Sequence, residues 1–268
     1  IAKRNGLHWR LKGSEFLGLI ELSNITWFQW SLAFLGAFSL GFSKTGFPGL
    51  ALVNVLVMAE LFGAKQSVGL ILPLLIVCDI TVYPMFRRYA TWKQVWPILI
   101  PTLFGIIGGY YLLSSIDNST ARKSIGLIIL VMLILQLMRG YKQDFLKKLP
   151  DSKYFRWSSG FTIGISTMMA NAAGPVYSIY SLVHKMPKNE FLGIGARCFL
   201  LVNLIKLPFM TDLKIINAWS LKMDALLLPG IFAGIILGKR LIDRIPQRAF
   251  EILLYVFSAI AGVRLVWY

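Results

Sequence analysis

Gly41-Phe42-Ser43-Lys44-Thr45-Gly46-Phe47-Pro48-Gly49 interrupts an otherwise apolar run with a lysine, several glycines and a proline. Lipid offers no hydrogen-bond partners, so irregular backbone at membrane depth survives only when it is buried in protein or lines a wet cavity. A second break, Asn171-Ala172-Ala173-Gly174-Pro175, lies about half a chain later and also ends in Gly-Pro. Two such breaks in corresponding places point to a duplicated transporter built on discontinuous helices.

The composition supports the membrane reading. Of 268 residues, 56% are hydrophobic and 15% charged, and the mean hydropathy is +0.66, too apolar for a soluble domain of this length. A formal charge of +16 would suggest nucleic acid in a soluble protein. Here most Lys and Arg fall between apolar runs, which fits loops facing anionic headgroups under the positive-inside rule. No basic stretch interleaved with aromatics forms a base-stacking platform, so a nucleic-acid partner is not expected. Cys78 and Cys198 lie inside apolar runs and belong to no metal-ligand spacing, and His8 and His184 stand alone near run ends. Neither a disulfide, a metal site nor a cofactor is expected, and no protease, hydrolase or P-loop motif is present.

Ten apolar segments can be marked, at 27–43, 48–62, 67–87, 94–114, 122–141, 157–171, 175–186, 191–210, 222–242 and 248–267. A crossing helix needs about 20 residues. The second, sixth and seventh segments fall short, and all flank the breaks. The halves also match in order. Pro48 corresponds to Pro175, Gly69 and Pro84 to Gly193 and Pro208, Trp92 to Trp219, and Pro101 with Gly105 and Gly109 to Pro229 with Gly234 and Gly238. This register sets Asp79 opposite Asn203, and the glycine spacing favours close helix approach. The organisation expected is a polar tail over 1–24, a first transmembrane repeat over 25–141, a basic cytoplasmic linker over 142–156 and a second repeat over 157–268. A single helix over residues 27 to 62 would be about 54 Å long against a core of about 30 Å, so a hairpin of two short helices fits better. The fold class expected is an all-α polytopic membrane protein with two five-segment repeats, inverted, each carrying a broken-helix hairpin.

The first break suits a small oxyanion. A helix starting at Phe47 or Pro48 presents unpaired N–H groups and a positive dipole end. Ser43 and Thr45 add hydroxyls, Lys44 adds charge, and Gly46 allows a sharp turn and close ligand approach. Lys44 could instead snorkel to an interface. The second break offers Ser166, Thr167 and Asn171 before Gly174 without the charge. If the two tips meet near the midplane, two helix N-termini converge on one site. Asp79, in the middle of an apolar run, has to be paired, protonated or functional. It either bridges to Lys44 or Arg197, or serves as a proton-linked carboxylate. On the eighth segment Asn203 and Lys206 share a helix face and Arg197 lies away from them. Lys206 is near enough to the segment end to snorkel, which leaves Arg197 and Asn203 as the mid-depth candidates. The tryptophans near segment ends read as interfacial anchors.

These features resemble the sulfite exporter TauE/SafE family of membrane permeases. The resemblance rests on the first break, GFSKTGFPGL, on the Pro-led short helix after it, on the loop with Trp92 before a Pro/Gly-rich segment, and on the repeat of this plan from Trp27 to Tyr268. It implies a permease rather than an enzyme, moving a small sulfur-containing or organic anion such as sulfite or a sulfonate under an ion gradient. The expected setting is a bacterial inner (plasma) membrane, with lipid and the anion as partners and a homo-oligomer allowed. The site expected comprises Ser43, Lys44, Thr45, Gly46, Asn171, Gly174, Arg197 and Asn203 for the anion, with Asp79 for the proton. The alternatives are an anion channel and, from another class, a membrane-embedded enzyme or assembly subunit.

Overall fold

The computed structural model describes residues 25–45 and 50–241. Residues 1–24, residues 46–49 and the tenth segment lie outside the described residues. Among those described, every regular element is a helix: α1 Trp27–Ser43, α2 Ala51–Phe62, α3 Ala64–Phe86, α4 Trp92–Ser115, α5 Asn118–Tyr141, α6 Gln143–Leu146, α7 Lys153–Ala170, α8 Gly174–Val183, α9 Lys188–Asp212 and α10 Ala218–Leu241. A 3₁₀ turn, Arg87–Tyr89, ends α3. Among the described residues five helices are long and apolar enough to cross a bilayer, one of them α3 extended through that turn, the others α4, α5, α9 and α10.

Local chemistry sets the helix ends. Thr26 and Gln29 form a capping box at α1, with the Gln29 N–H donating to Thr26 Oγ1 and the Thr26 N–H to Gln29 Oε1. Thr91 and Gln94 repeat the arrangement at α4, satisfying donors that would otherwise be orphaned. Asp117 caps α5 by accepting from the Ser119 and Thr120 N–H groups. The hydrogen bonds from Thr120 hold its carboxyl below the usual carboxylate range. Asn171 ends α7 in the left-handed region at φ 51°, a conformation Asn tolerates better than most residues. Pro175 then opens α8 at its first positions, where a missing N–H costs nothing.

Among the described residues the two largest interhelical interfaces are α4 with α7 and α1 with α10. Glycines make both possible. A Cβ on Gly105 would come within 2.8 Å of Gly164 Cα and would also strike the Phe161 carbonyl oxygen. A Cβ on Gly234 would come within 2.8 Å of the Phe42 nitrogen and strike the Phe38 carbonyl oxygen. Contacts advance in step along each pair: Gly160 meets Pro101, Gly164 meets Gly105 and Met168 meets Gly109, while Gly230 meets Ala37 and Gly238 meets Phe42. The helices in each pair are therefore parallel. Between α3 and α9 the order reverses, with Ala90 against Gly193, Asp79 against Asn203 and Gly69 against Ile215. These two helices are antiparallel. Gly36 on α1 meets Asn54, Val57 and Met58 on α2, so the first break joins two short helices in a hairpin rather than continuing one long helix.

Candidate functional site

Where the ends of α1 and α7 and the starts of α2 and α8 meet the crossing of α3 and α9 lies a cavity of about 100 Å³, open to one side. Its polar lining is Ser43 and Lys44 from the end of α1, Asp79 from α3, Thr167 and Asn171 from the end of α7, and Asn203 from α9. Ala51 opens α2 into it, and Ala173 and Gly174 bring the start of α8. The cavity runs from Asp79 past Val82 to Phe86 on α3, and from Asn203 past Phe199 to Leu192 on α9. It therefore extends toward the end of the bundle that bears the 142–152 linker.

Asp79 organises the floor. Its side chain is 1% exposed, and Lys44 Nζ lies 2.5 Å from its Oδ1. Asn203 Nδ2 donates to the other oxygen at 2.6 Å. A carboxylate this deep needs both kinds of partner, because the attraction of one cation rarely repays its desolvation. Lys44 Nζ also stands 5.4 Å from the centre of the Phe199 ring, within range for a cation–π contact. The start of α8 has no side-chain cap, and Ala173 and Gly174 bring this positive dipole end to the cavity wall.

Of the sequence-predicted residues, Ser43, Lys44, Asp79, Asn171, Gly174 and Asn203 all line this cavity. Gly46 lies outside the described residues. Thr45 is buried away from the lining: its hydroxyl donates to the Phe42 carbonyl at 2.7 Å, and it packs where α10 passes at Gly238. Arg197 is directed elsewhere too. Its guanidinium donates to the Ala90 and Arg87 carbonyls and to the Tyr83 hydroxyl, and sits 4.9 Å from the Trp92 ring centre. It braces the end of α3 rather than facing the cavity or Asp79. Asn171 lines the cavity with its amide committed, Nδ2 donating to the Val68 carbonyl at 2.9 Å and Oδ1 accepting from Lys206 at 2.6 Å.

Lys206 corrects the expectation of a snorkelling side chain. It is fully buried, and donates to Thr167 and Asn171 at the end of α7. The distance along the sequence to the end of the apolar run misleads here, because the Thr167 carbonyl and the Asn171 amide at the end of α7 lie within hydrogen-bond reach of Lys206. Its position three residues after Asn203, on the same face, was the signal that could have placed it.

The chain matches the family model described as Sulfite exporter TauE/SafE over residues 32–265, nearly its whole length. It belongs to the sulfite exporter TauE/SafE family. This is a family of membrane transporters, and the chain is an integral membrane protein. No curated protein and no solved structure matches it. TauE/SafE membership and the buried polar floor were reached by separate routes. The first comes from the pattern of the whole chain, the second from side chains that its two breaks bring together.

Proposed function

We propose that this TauE/SafE protein is a secondary transporter that moves a small sulfur-containing or related organic anion, such as sulfite or a sulfonate, coupled to a proton at Asp79. The observation that carries the reading is the Lys44–Asp79 contact at 2.5 Å on the cavity floor. An arriving oxyanion competes with Asp79 for Lys44. When the anion takes the ammonium, Asp79 loses its charged partner, and a proton on the carboxylate removes the repulsion between the two anions. One proton and one anion then leave the floor together, and the Lys44–Asp79 pair reforms behind them. The uncapped start of α8 supplies neutral donors to the same anion.

We further propose that the halves are inverted repeats. The register pairs α1 with α7, α3 with α9 and α4 with α10. Three features support inversion: the counterparts α3 and α9 are antiparallel, and the interfaces α4–α7 and α1–α10 are exchanged copies of one another, both with parallel helices. In such an arrangement the two hairpins exchange roles as the bundle rocks about the cavity. The end with the linker also carries Arg87, Arg88, Lys93, Lys147, Lys148, Lys185, Lys188 and Arg240, whereas the other end carries Lys65, Arg122, Lys123, Lys214 and Lys222. The positive-inside rule therefore favours a cytoplasmic linker in a bacterial plasma membrane, with the cavity extending toward the cytoplasm.

Uptake into proteoliposomes tests the function. Labelled sulfite, a panel of sulfonates and a carboxylate are offered with and without a proton gradient. Gradient-dependent accumulation of at least one anion is the expected result. Conductance independent of any gradient would make the protein a channel, and no flux of any anion would refute the reading.

A further inference from the structure

Most side-chain donors of the cavity are spent inside the protein. Ser43 Oγ donates to the Leu40 carbonyl at 2.7 Å, Asn171 Nδ2 to the Val68 carbonyl and Asn203 Nδ2 to Asp79. Thr167 Oγ1 accepts from Lys206. An incoming anion is left with the part of the Lys44 ammonium that Asp79 does not use, and with the start of α8 at Ala173 and Gly174. The available donors therefore gather at the floor.

Toward the mouth the walls are apolar. Val82 and Phe86 follow Asp79 on α3 at one and two turns, and Phe191, Ala196 and Phe199 line the cavity from α9, with Tyr177 from α8. The antiparallel register that sets Asp79 by Asn203 and Ala90 by Gly193 brings Val82 level with Phe199 and Phe86 level with Ala196. The rings form one cluster: Tyr177 stacks on Phe191 with centroids 4.8 Å apart and meets Phe199 edge-on at 5.2 Å. Tyr177 is the polar member of these six residues, and its hydroxyl already donates to the Phe191 carbonyl at 2.7 Å. Phe199 reaches from this wall to the floor, its ring centre 5.4 Å from Lys44 Nζ. An inorganic oxyanion seated on Lys44 would turn lone pairs toward rings that return no hydrogen bond, and burying them so is costly. An organic anion places carbon there instead.

We propose that the cavity is built for an organic anion with an apolar body: an alkyl or aryl sulfonate, sulfinate or carboxylate whose head sits on Lys44 and whose tail lies between Val82 and the rings of Phe199, Tyr177 and Phe191. The inference rests on the proposed anion transport. It ranks such anions above sulfite and above sulfonates with polar tails, and the charge of the head plays no part in that ranking.

The test uses full-length protein in liposomes under a proton gradient, with labelled methanesulfonate as probe and labelled sulfite in parallel. The competitors are unlabelled methanesulfonate, ethanesulfonate, propane-1-sulfonate and 2-hydroxyethanesulfonate. All four carry the same charge, so the series reads the walls and not the floor. Each added methylene should lower the competing concentration about fourfold, the worth of one buried CH₂. The hydroxyethyl compound matches propane-1-sulfonate in heavy atoms and should compete at least about tenfold less well, because its hydroxyl would be buried without a partner. In Phe199→Ala the gain per methylene should shrink to about twofold or less, a change of slope that a smaller amount of folded protein would not produce. A flat series in the parent overturns the inference, as do equal competition by the hydroxyethyl and propyl compounds and a full slope in Phe199→Ala. If Phe199→Ala fails to fold, the parent's series still decides. Uptake of labelled sulfite that no alkanesulfonate inhibits removes this inference alone and leaves the transport reading standing. Should the parent move none of the anions, both fall.

Discussion

Lys44 and Asp79 should behave as one unit in stability and as two separate parts in transport. The ammonium and carboxylate are 2.5 Å apart, with side chains 16% and 1% exposed, so neither can turn to bulk water when its partner is removed. Lys44→Met leaves a buried carboxylate with Asn203 as its remaining donor. Breaking a buried pair in this way costs about 3–5 kcal/mol. Asp79→Asn should fall at the low end of that range, because the new amide can donate to Asn203 Oδ1, which has no hydrogen-bond partner at present. In the double variant both charges are gone, and its loss should be smaller than the summed single losses by at least about 2 kcal/mol. At roughly 2–4 °C per kcal/mol for a chain of this size, Lys44→Met should lower the apparent Tm in detergent by about 6–20 °C, a shift readable from tryptophan fluorescence. In liposomes, Asp79→Asn should still exchange labelled anion for unlabelled anion but fail to accumulate it under a pH gradient. Lys44→Met should fail at both. Additive losses across the cycle would show that the two groups do not interact. Gradient-driven accumulation by Asp79→Asn at the parent's level would refute a proton on that carboxylate.

Within α4, Gly105→Ala and Gly109→Ala should lower the apparent Tm because their methyl groups meet backbone or Cβ atoms of α7, whereas Gly108→Ala, whose Cβ would lie 3.8 Å from the Phe161 ring, should be neutral or stabilising by up to about 1 kcal/mol from helix propensity. Gly234→Ala on α10 should reproduce the Gly105→Ala loss. An impermeant maleimide applied to intact cells should label Ser119→Cys and spare Lys147→Cys, and the reverse pattern would invert the assigned orientation. Asp117 is held below its usual value of 3.8 by donors present in the folded chain, so its contribution to the start of α5 is complete above that pH and lost as pH falls through the lower folded value. The Tm difference between the parent and Asp117→Ala should be present at pH 6 and close in acid.

Much of this arrangement could be read from the chain because the hydrophobic pattern and the glycines obey local rules. A polar, glycine-containing break in an apolar run, a proline shortly after it and the repetition of both in the second half are sufficient for two hairpins. The repeat register brought Asp79 opposite Asn203, and their side chains do meet at 2.6 Å. What could not be read was direction around a helix once several partners compete. Arg197 was given to the cavity because it is a cation at depth, yet the carbonyls of Ala90 and Arg87 and the ring of Trp92 lie on its side of α9. Thr45, one residue past Lys44, turns toward α10 through a short hydrogen bond to its own helix end. Neither outcome has a signature in spacing, because each depends on which helix passes by.

The two lysines beneath the cavity are explained first by the helix ends beside them. A helix that stops inside a membrane leaves its last carbonyls unpaired and its negative dipole end unsolvated. Among the described residues α1 and α7 stop this way, at Ser43 and at Ala170, and the need is met in part locally, the Asn171 and Ala172 N–H groups donating to the Thr167 and Ser166 carbonyls. A cation attends each: Lys44 occupies the cap position of α1, and Lys206 reaches across from α9 to the Thr167 carbonyl of α7. The broken helices thus demand positive charge whatever the cargo. One carboxylate, Asp79, answers one of the two lysines. The floor is therefore asymmetric even though the helices around it are paired.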